Sequence, residues 1–94
     1  MNLEKIISEN QGTIVDVRTN GEFMGAHVAD SINIPLNEIP QRIAEFQQLI
    51  TPVILCCASG NRSEQAQQFL SQHGIECYNG GSWFDVNYYK SKTI

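Results

Sequence analysis

Apolar residues recur along this chain in two rhythms, short aliphatic runs and helical spacings of three and four, and their alternation predicts an α/β fold. Residues 2–10 read as a helix, with Asn2 as a cap and Leu3, Ile6 and Ile7 on one face. Thr13–Val17 is a β-branched strand, Thr19–Gly25 a polar turn or short helix, and Ile32–Ile34 a short strand stopped by Pro35. From Asn37, the positions Ile39, Ile43, Phe46 and Ile50 recur at helical spacing; Pro40 is tolerable in a first turn, and the helix ends near Thr51-Pro52. Val53, Ile54, Leu55, Cys56 and Cys57 form an unbroken apolar run bounded by Pro52 and Gly60, as in a strand covered on both faces.

The second half repeats the alternation. Asn61 and Glu64 have the spacing of a helix cap and its partner, so a helix is expected from about Arg62, with Ala66, Phe69, Leu70 and His73 on one face and a stop at Gly74. Glu76–Asn79 is the last strand, Ser82 caps a final helix through Trp83 and Val86, and 90–94 fray. Trp83, Phe84, Tyr88 and Tyr89 are expected to cover the core. Strands separated by helices imply right-handed crossovers and a small, mainly parallel sheet flanked by helices on both faces, in one domain over residues 1–94. In such sheets ligands bind outside the carboxyl ends of the strands. The Cys57 loop lies on that rim, as do Arg18 after the first strand and Gly80-Gly81 after the last.

The run Cys57-Ala58-Ser59-Gly60-Asn61-Arg62-Ser63 carries the clearest chemistry. A thiol becomes a nucleophile when its pKa is lowered at a helix N-terminus beside a guanidinium, which Arg62 can supply. Ala58, Ser59, Gly60 and Asn61 are small or turn-forming, so their backbone N–H groups can converge on an anion. Cys56 and Arg62 enclose five residues, the spacing of cysteine phosphatases, whereas Cys57 and Arg62 enclose four. Alternation along a strand lets only one of the two thiols face the loop, and spacing alone leaves both registers open.

This loop resembles the active-site loop of single-domain rhodaneses, sulfurtransferases that carry sulfur as a cysteine persulfide. Three further stretches stand in the family's order: Asp16-Val17-Arg18 with Glu22-Phe23, then Ala26-His27-Val28 running to Ile32-Asn33-Ile34-Pro35, and Gly80-Gly81 with Trp83. The chain opens with a helical pattern where many members have an extra strand, so four strands are expected. The resemblance implies a Cys57 nucleophile with Cys56 packed in the core. Arg62 would orient the loop and attract an anionic donor such as thiosulfate, and the N–H groups from Ala58 to Arg62, with Ser63, would hold the persulfide. The acceptor would be cyanide or a thiol, small or on a protein, and no cofactor is required.

Other charged and thiol residues read as structural. Asp16 and Arg18 at a strand end can tie loops by charge-assisted hydrogen bonds, with Glu22 as a partner for Arg18. His27 reads as a hydrogen-bonded loop residue, His73 as a cation at a helix C-terminus, and Cys77 as packed. The cysteines and histidines show no zinc-type spacing, so no metal is expected.

Composition narrows the partners. A formal charge of -4 argues against nucleic acid and anionic membranes. Three cysteines, two of them adjacent, point to free thiols, and without a long apolar stretch or a basic leader the default compartment is the cytoplasm. Two rivals to sulfur transfer stand: a small phosphatase or arsenate-reductase-like enzyme using Cys56, and a non-catalytic persulfide-carrier or interaction module.

Overall fold

β-branched Thr13, Ile14 and Val15 open the first strand, β1 (Thr13–Asp16), in the computed structural model, which describes residues 2–92. With β2 (Ile32–Asn33), β3 (Val53–Cys57) and β4 (Cys77–Ser82) it forms a four-stranded sheet in the order β2-β1-β3-β4, every pair parallel. Among the described residues, five α-helices flank it: α1 (Leu3–Ser8), α2 (Asn20–Gly25), α3 (Ile43–Gln47), α4 (Asn61–Gln72) and α5 (Trp83–Ser91). The connection from β1 leads outward to β2 and that from β3 leads the other way to β4, so the order reverses between β1 and β3. Ligand clefts of parallel sheets form at that point.

Strand parity divides the core in two. Val15, Val53, Leu55 and Cys57 bury one face against Ile34, Ile39, Phe46, Ala66 and Leu70, under α3 and α4. Ile14, Ile54 and Cys56 bury the other against Ile7, Val28 and Val86, under α1 and α5. All of β3 is therefore out of water, as its apolar run predicts. Each fully buried aliphatic side chain contributes roughly 1.5–3 kcal/mol, so these two layers hold the rim in place.

Several boundaries differ from the pattern reading. Leu36–Arg42 winds as a 3-10 helix and α3 begins only at Ile43, because the ring of Pro40 collides with the carbonyl four residues back that an α-helix would require. The helix ends at Gln47, which leaves Ile50 exposed outside the apolar face expected for it. Gly60, at φ 103, caps α4, and Asn61 is its first residue rather than its cap. β4 runs on to Ser82 through an irregularity beside Leu55/Cys56, where Cys56 pairs with Gly81 and Cys57 with Ser82. Gly80 sits at that shift, and any Cβ there would lie 2.8 Å from Val86 and 3.0 Å from Ile54. Of the four aromatic residues expected to cover the core, Trp83 and Tyr89 pack against it; Phe84 and Tyr88 face solvent. α5 extends to Ser91, and residues 93–94 of the expected frayed end lie outside the described residues.

Candidate active site

β3 ends on the residue whose parity points toward α4, and that residue is Cys57. The chain then turns through exposed Ala58 and Ser59 to Gly60, whose left-handed backbone brings its N–H back to Cys57 Sγ at 2.9 Å. One helical turn on, the Ser63 hydroxyl lies 3.4 Å from the same sulfur. Burial opposes ionisation of Cys57, but hydrogen bonds from the Ser63 side chain and from backbone N–H groups of Ser63, Gly60 and Ser59 outweigh it and pull the thiol below its ordinary value. Hydrogen bonds from the loop thus do most of what the sequence reading ascribes to Arg62.

Cys56, one residue earlier, shows the reverse. It is fully buried under α1 and α5, and desolvation, reinforced by the Asp16 carboxylate, drives its thiol far above the ordinary range. Of the two registers open from spacing, only Cys57 has its sulfur in the loop.

Asn79, which the sequence reading passed over as the end of a strand, braces the loop from β4. Its Oδ1 accepts from the Ser63 hydroxyl at 2.6 Å and from Gly81 N–H at 2.8 Å; its Nδ2 donates to Gly60 carbonyl at 3.1 Å and to Glu64 at 3.3 Å. Glu64 therefore reaches Asn79, where a capping role had been expected for it. The only signal for Asn79 was its place before the glycine pair, where a short amide can satisfy backbone exposed by a bulge.

Arg62 forms a two-pronged pair with Glu22, at 2.7 and 3.0 Å. Glu22 was expected beside Arg18; it belongs to Arg62 instead. Its Oε1 also accepts from the N–H and hydroxyl of Thr19, completing a capping box at the start of α2. The Arg62 hydrogen bonds are the chief reason its carboxyl falls to about 2.

Arg18 turns to Asp16. Two side-chain nitrogens of Arg18 meet the Asp16 carboxylate at 2.7–3.0 Å, and Nη2 also donates to Ala26 carbonyl at 2.7 Å, tying the end of β1 to the segment after α2. The guanidinium lies 4.8 Å from the centre of the Trp83 ring, a contact no spacing rule foretold. Asn33 Nδ2 donates to the carbonyls of Asp16 and Arg18, both at 2.9 Å, so the Ile-Asn-Ile-Pro segment fastens the same strand end.

The remaining candidates lie elsewhere. His27 stacks on Phe23 and bonds its carbonyl, His73 meets the Phe69 ring at a tilt and bonds the Phe69 carbonyl, and Cys77 is buried between Ser71 and the Gln67 carbonyl. Among the described residues no group of three or more His, Cys, Asp or Glu is placed to hold a metal ion, and no helix is long and apolar enough to cross a membrane.

Residues 2–85 match the family model of the rhodanese-like domain. Over 67 residues the chain is 40% identical to YqhL, an uncharacterised protein of Bacillus subtilis, covering 70% of this chain and 52% of that one. It is 35% identical over 74 residues to the thiosulfate sulfurtransferase PspE of Escherichia coli, covering 77% and 71%. A solved rhodanese with anions from E. coli superposes with a TM-score of 0.70 at 35% identity, covering 78% of this chain and 88% of that one. The chain spans about half the length of the first of these curated relatives.

Proposed function

Because this chain belongs to the rhodanese-like domain family, we propose that it moves a sulfane sulfur from a donor such as thiosulfate to a thiophilic acceptor through a Cys57 persulfide. The observation that carries the reading is the convergence on Cys57 Sγ of the Gly60 N–H at 2.9 Å and the Ser63 hydroxyl at 3.4 Å, which favours negative sulfur at a buried position. In the first half-reaction the Cys57 thiolate attacks the outer sulfur of thiosulfate, the S–S bond breaks, and sulfite leaves with the bonding pair. Cys57 then carries a terminal sulfur with one negative charge, within reach of the N–H groups of the loop. In the second half-reaction cyanide or a thiolate takes that sulfur and the Cys57 thiolate returns.

The roles follow from position. Cys57 is the nucleophile; Ala58, Ser59, Gly60 and Asn61 form the cradle with Ser63, and Arg62 supplies positive charge at the mouth. Asp16 and Arg18 hold the rim. No step requires a metal or organic cofactor. A reducing compartment such as the cytoplasm suits three unpaired thiols.

Phosphatase chemistry through Cys56 is disfavoured by that residue's burial and raised pKa. Intact-mass measurement after thiosulfate treatment tests the proposal. A gain of about 32 Da, one sulfur atom, is expected in the wild type and in Cys56→Ser and none in Cys57→Ser. An adduct that survives Cys57→Ser and disappears in Cys56→Ser would overturn the assignment, and an adduct that no acceptor discharges would leave a carrier module in place of an enzyme.

A further inference from the structure

Ser63 has one hydroxyl hydrogen, and among the described residues three acceptors stand within its reach. Asn79 Oδ1 lies at 2.6 Å, the Gly60 carbonyl at 3.2 Å and Cys57 Sγ at 3.4 Å. The Gly60 carbonyl does not depend on it, since Glu64 N–H at 3.0 Å and Asn79 Nδ2 at 3.1 Å already donate there. The contest is therefore between Asn79 and the sulfur. Asn79 cannot turn away from it. Its Oδ1 also accepts from Gly81 N–H, so a flipped amide would set NH₂ against Gly81 N–H and oxygen against the Gly60 carbonyl. Ser63 is fully buried, so water does not enter the contest, and the hydroxyl alone is left to rotate.

We infer that Asn79 is a positioning residue that shares the Ser63 hydrogen with Cys57: Asn79 holds it while the sulfur is a thiol or a loaded persulfide, and the hydroxyl turns it onto the sulfur when the thiolate forms. The inference deepens the Cys57 persulfide reading and rests on it for the loaded state. In the thiol, Cys57 S–H points at Ser63 Oγ and Ser63 O–H at Asn79, a chain of two hydrogen bonds. On ionisation the sulfur proton leaves to solvent. The hydroxyl hydrogen stays on its own oxygen and swings to the charged sulfur, a stronger acceptor than an amide oxygen. Gly81 N–H keeps Asn79 Oδ1 partnered meanwhile. Once sulfur is loaded the charge sits on the outer atom, the inner sulfur is a weak acceptor, and the hydrogen returns to Asn79. Forming the thiolate thus gives up the Ser63–Asn79 bond and loading restores it, which favours the loaded protein over an idle thiolate.

Charged and titratable groups face this cluster from each side. Glu64 of α4 meets Asn79 Nδ2, the Arg62 charge acts on Cys57 from the same helical turn, Cys56 precedes it on β3, and Asp16, paired with Arg18, lies beside Cys56 at the end of β1. A substitution at Ser63 or Asn79 leaves all of these in place.

The test is a double-mutant cycle on the pH midpoint of Cys57 alkylation by iodoacetamide, which reports the thiolate. Asn79→Ala is made in the wild type and in Ser63→Ala, a background with no hydrogen to share. Whatever loosening of the Gly60 loop follows from losing the amide is common to both and cancels. The midpoint is expected to move lower with Ser63 present than without it, by about half to one pH unit. Asn79→Val, β-branched and without an acceptor, serves with the same expectation where the alanine variant does not fold. Movements equal within about 0.2 pH unit, or a relative rise with Ser63 present, would overturn this inference alone. Intact mass after thiosulfate treatment separates the two readings: a wild type that shows the coupling yet gains no sulfur would overturn the persulfide reading and the loaded-state return with it.

Discussion

Asp16 and Arg18 lie two residues apart and almost out of water, whereas Glu22 and Arg62 come from positions 40 residues apart and meet partly in solvent. Both are short, two-pronged arginine–carboxylate pairs, yet their surroundings give them different work. The Asp16–Arg18 pair is closed on all sides: the carboxylate also accepts Arg18 N–H, and the guanidinium also meets Ala26 carbonyl and the Trp83 ring. Charges taken out of water cost several kcal/mol each, and such saturation offsets that cost. The Glu22–Arg62 pair keeps about a third of each side chain in solvent, where an ion pair contributes little to stability and its field acts on whatever approaches. The inner pair ties the end of β1 to the segment after α2; the outer one joins α2 to the first turn of α4 at the surface.

The contrast breaks most visibly at Asp16. Asp16→Ala leaves the Arg18 guanidinium buried without its counter-charge, and urea unfolding is expected to show a loss of about 3–5 kcal/mol. A loss below about 1 kcal/mol would put the inner pair in the same class as the outer one. Next in size is Asn79→Ala, which frees Ser63 and takes away the side-chain acceptor of Gly81 N–H, with an expected cost of about 1–3 kcal/mol.

Glu22→Gln is expected to cost less than about 1 kcal/mol, so a large loss would deny the outer pair its separate role. Its pH dependence sharpens the point further. The folded carboxyl sits at about 2 against an ordinary 4.5, so the stability the pair contributes is fully present above 4.5 and is lost as pH falls toward 2. The difference in urea midpoint between wild type and Glu22→Gln should therefore be constant above pH 5 and vanish near pH 2. A difference that grew on acidification would contradict the pairing.

What separates the two pairs also separates what the sequence disclosed from what it hid. The strands and the Cys57 loop were legible because their information is local: β-branched runs, an apolar stretch bounded by proline and glycine, and small residues before an arginine. Parity along β3 even distinguished two faces for the adjacent thiols, although not which face held the loop. The Glu22–Arg62 contact, the Asn79 brace and the Arg18–Trp83 stack were not legible, since each joins elements brought together only by the order β2-β1-β3-β4. The helix boundaries that moved did so for steric reasons invisible to periodicity, such as the Pro40 ring and the left-handed Gly60. Ile50, Phe84 and Tyr88 were misjudged because apolar character alone does not say which side of an element meets a partner.

The parity of β3 also bears on how long a sulfur atom stays on the protein. Adjacent cysteines invite an internal exchange, in which one thiol attacks a persulfide on the other and expels hydrogen sulfide as a disulfide closes. Here Cys56 lies on the opposite side of the sheet, fully buried and held protonated by desolvation, so it offers Cys57 no attacking thiolate. On the proposed reading, discharge through the neighbouring thiol is shut off, and the half-life of a loaded Cys57 falls as the concentration of outside acceptor rises. The clock for sulfur release then belongs to the surrounding thiol pool.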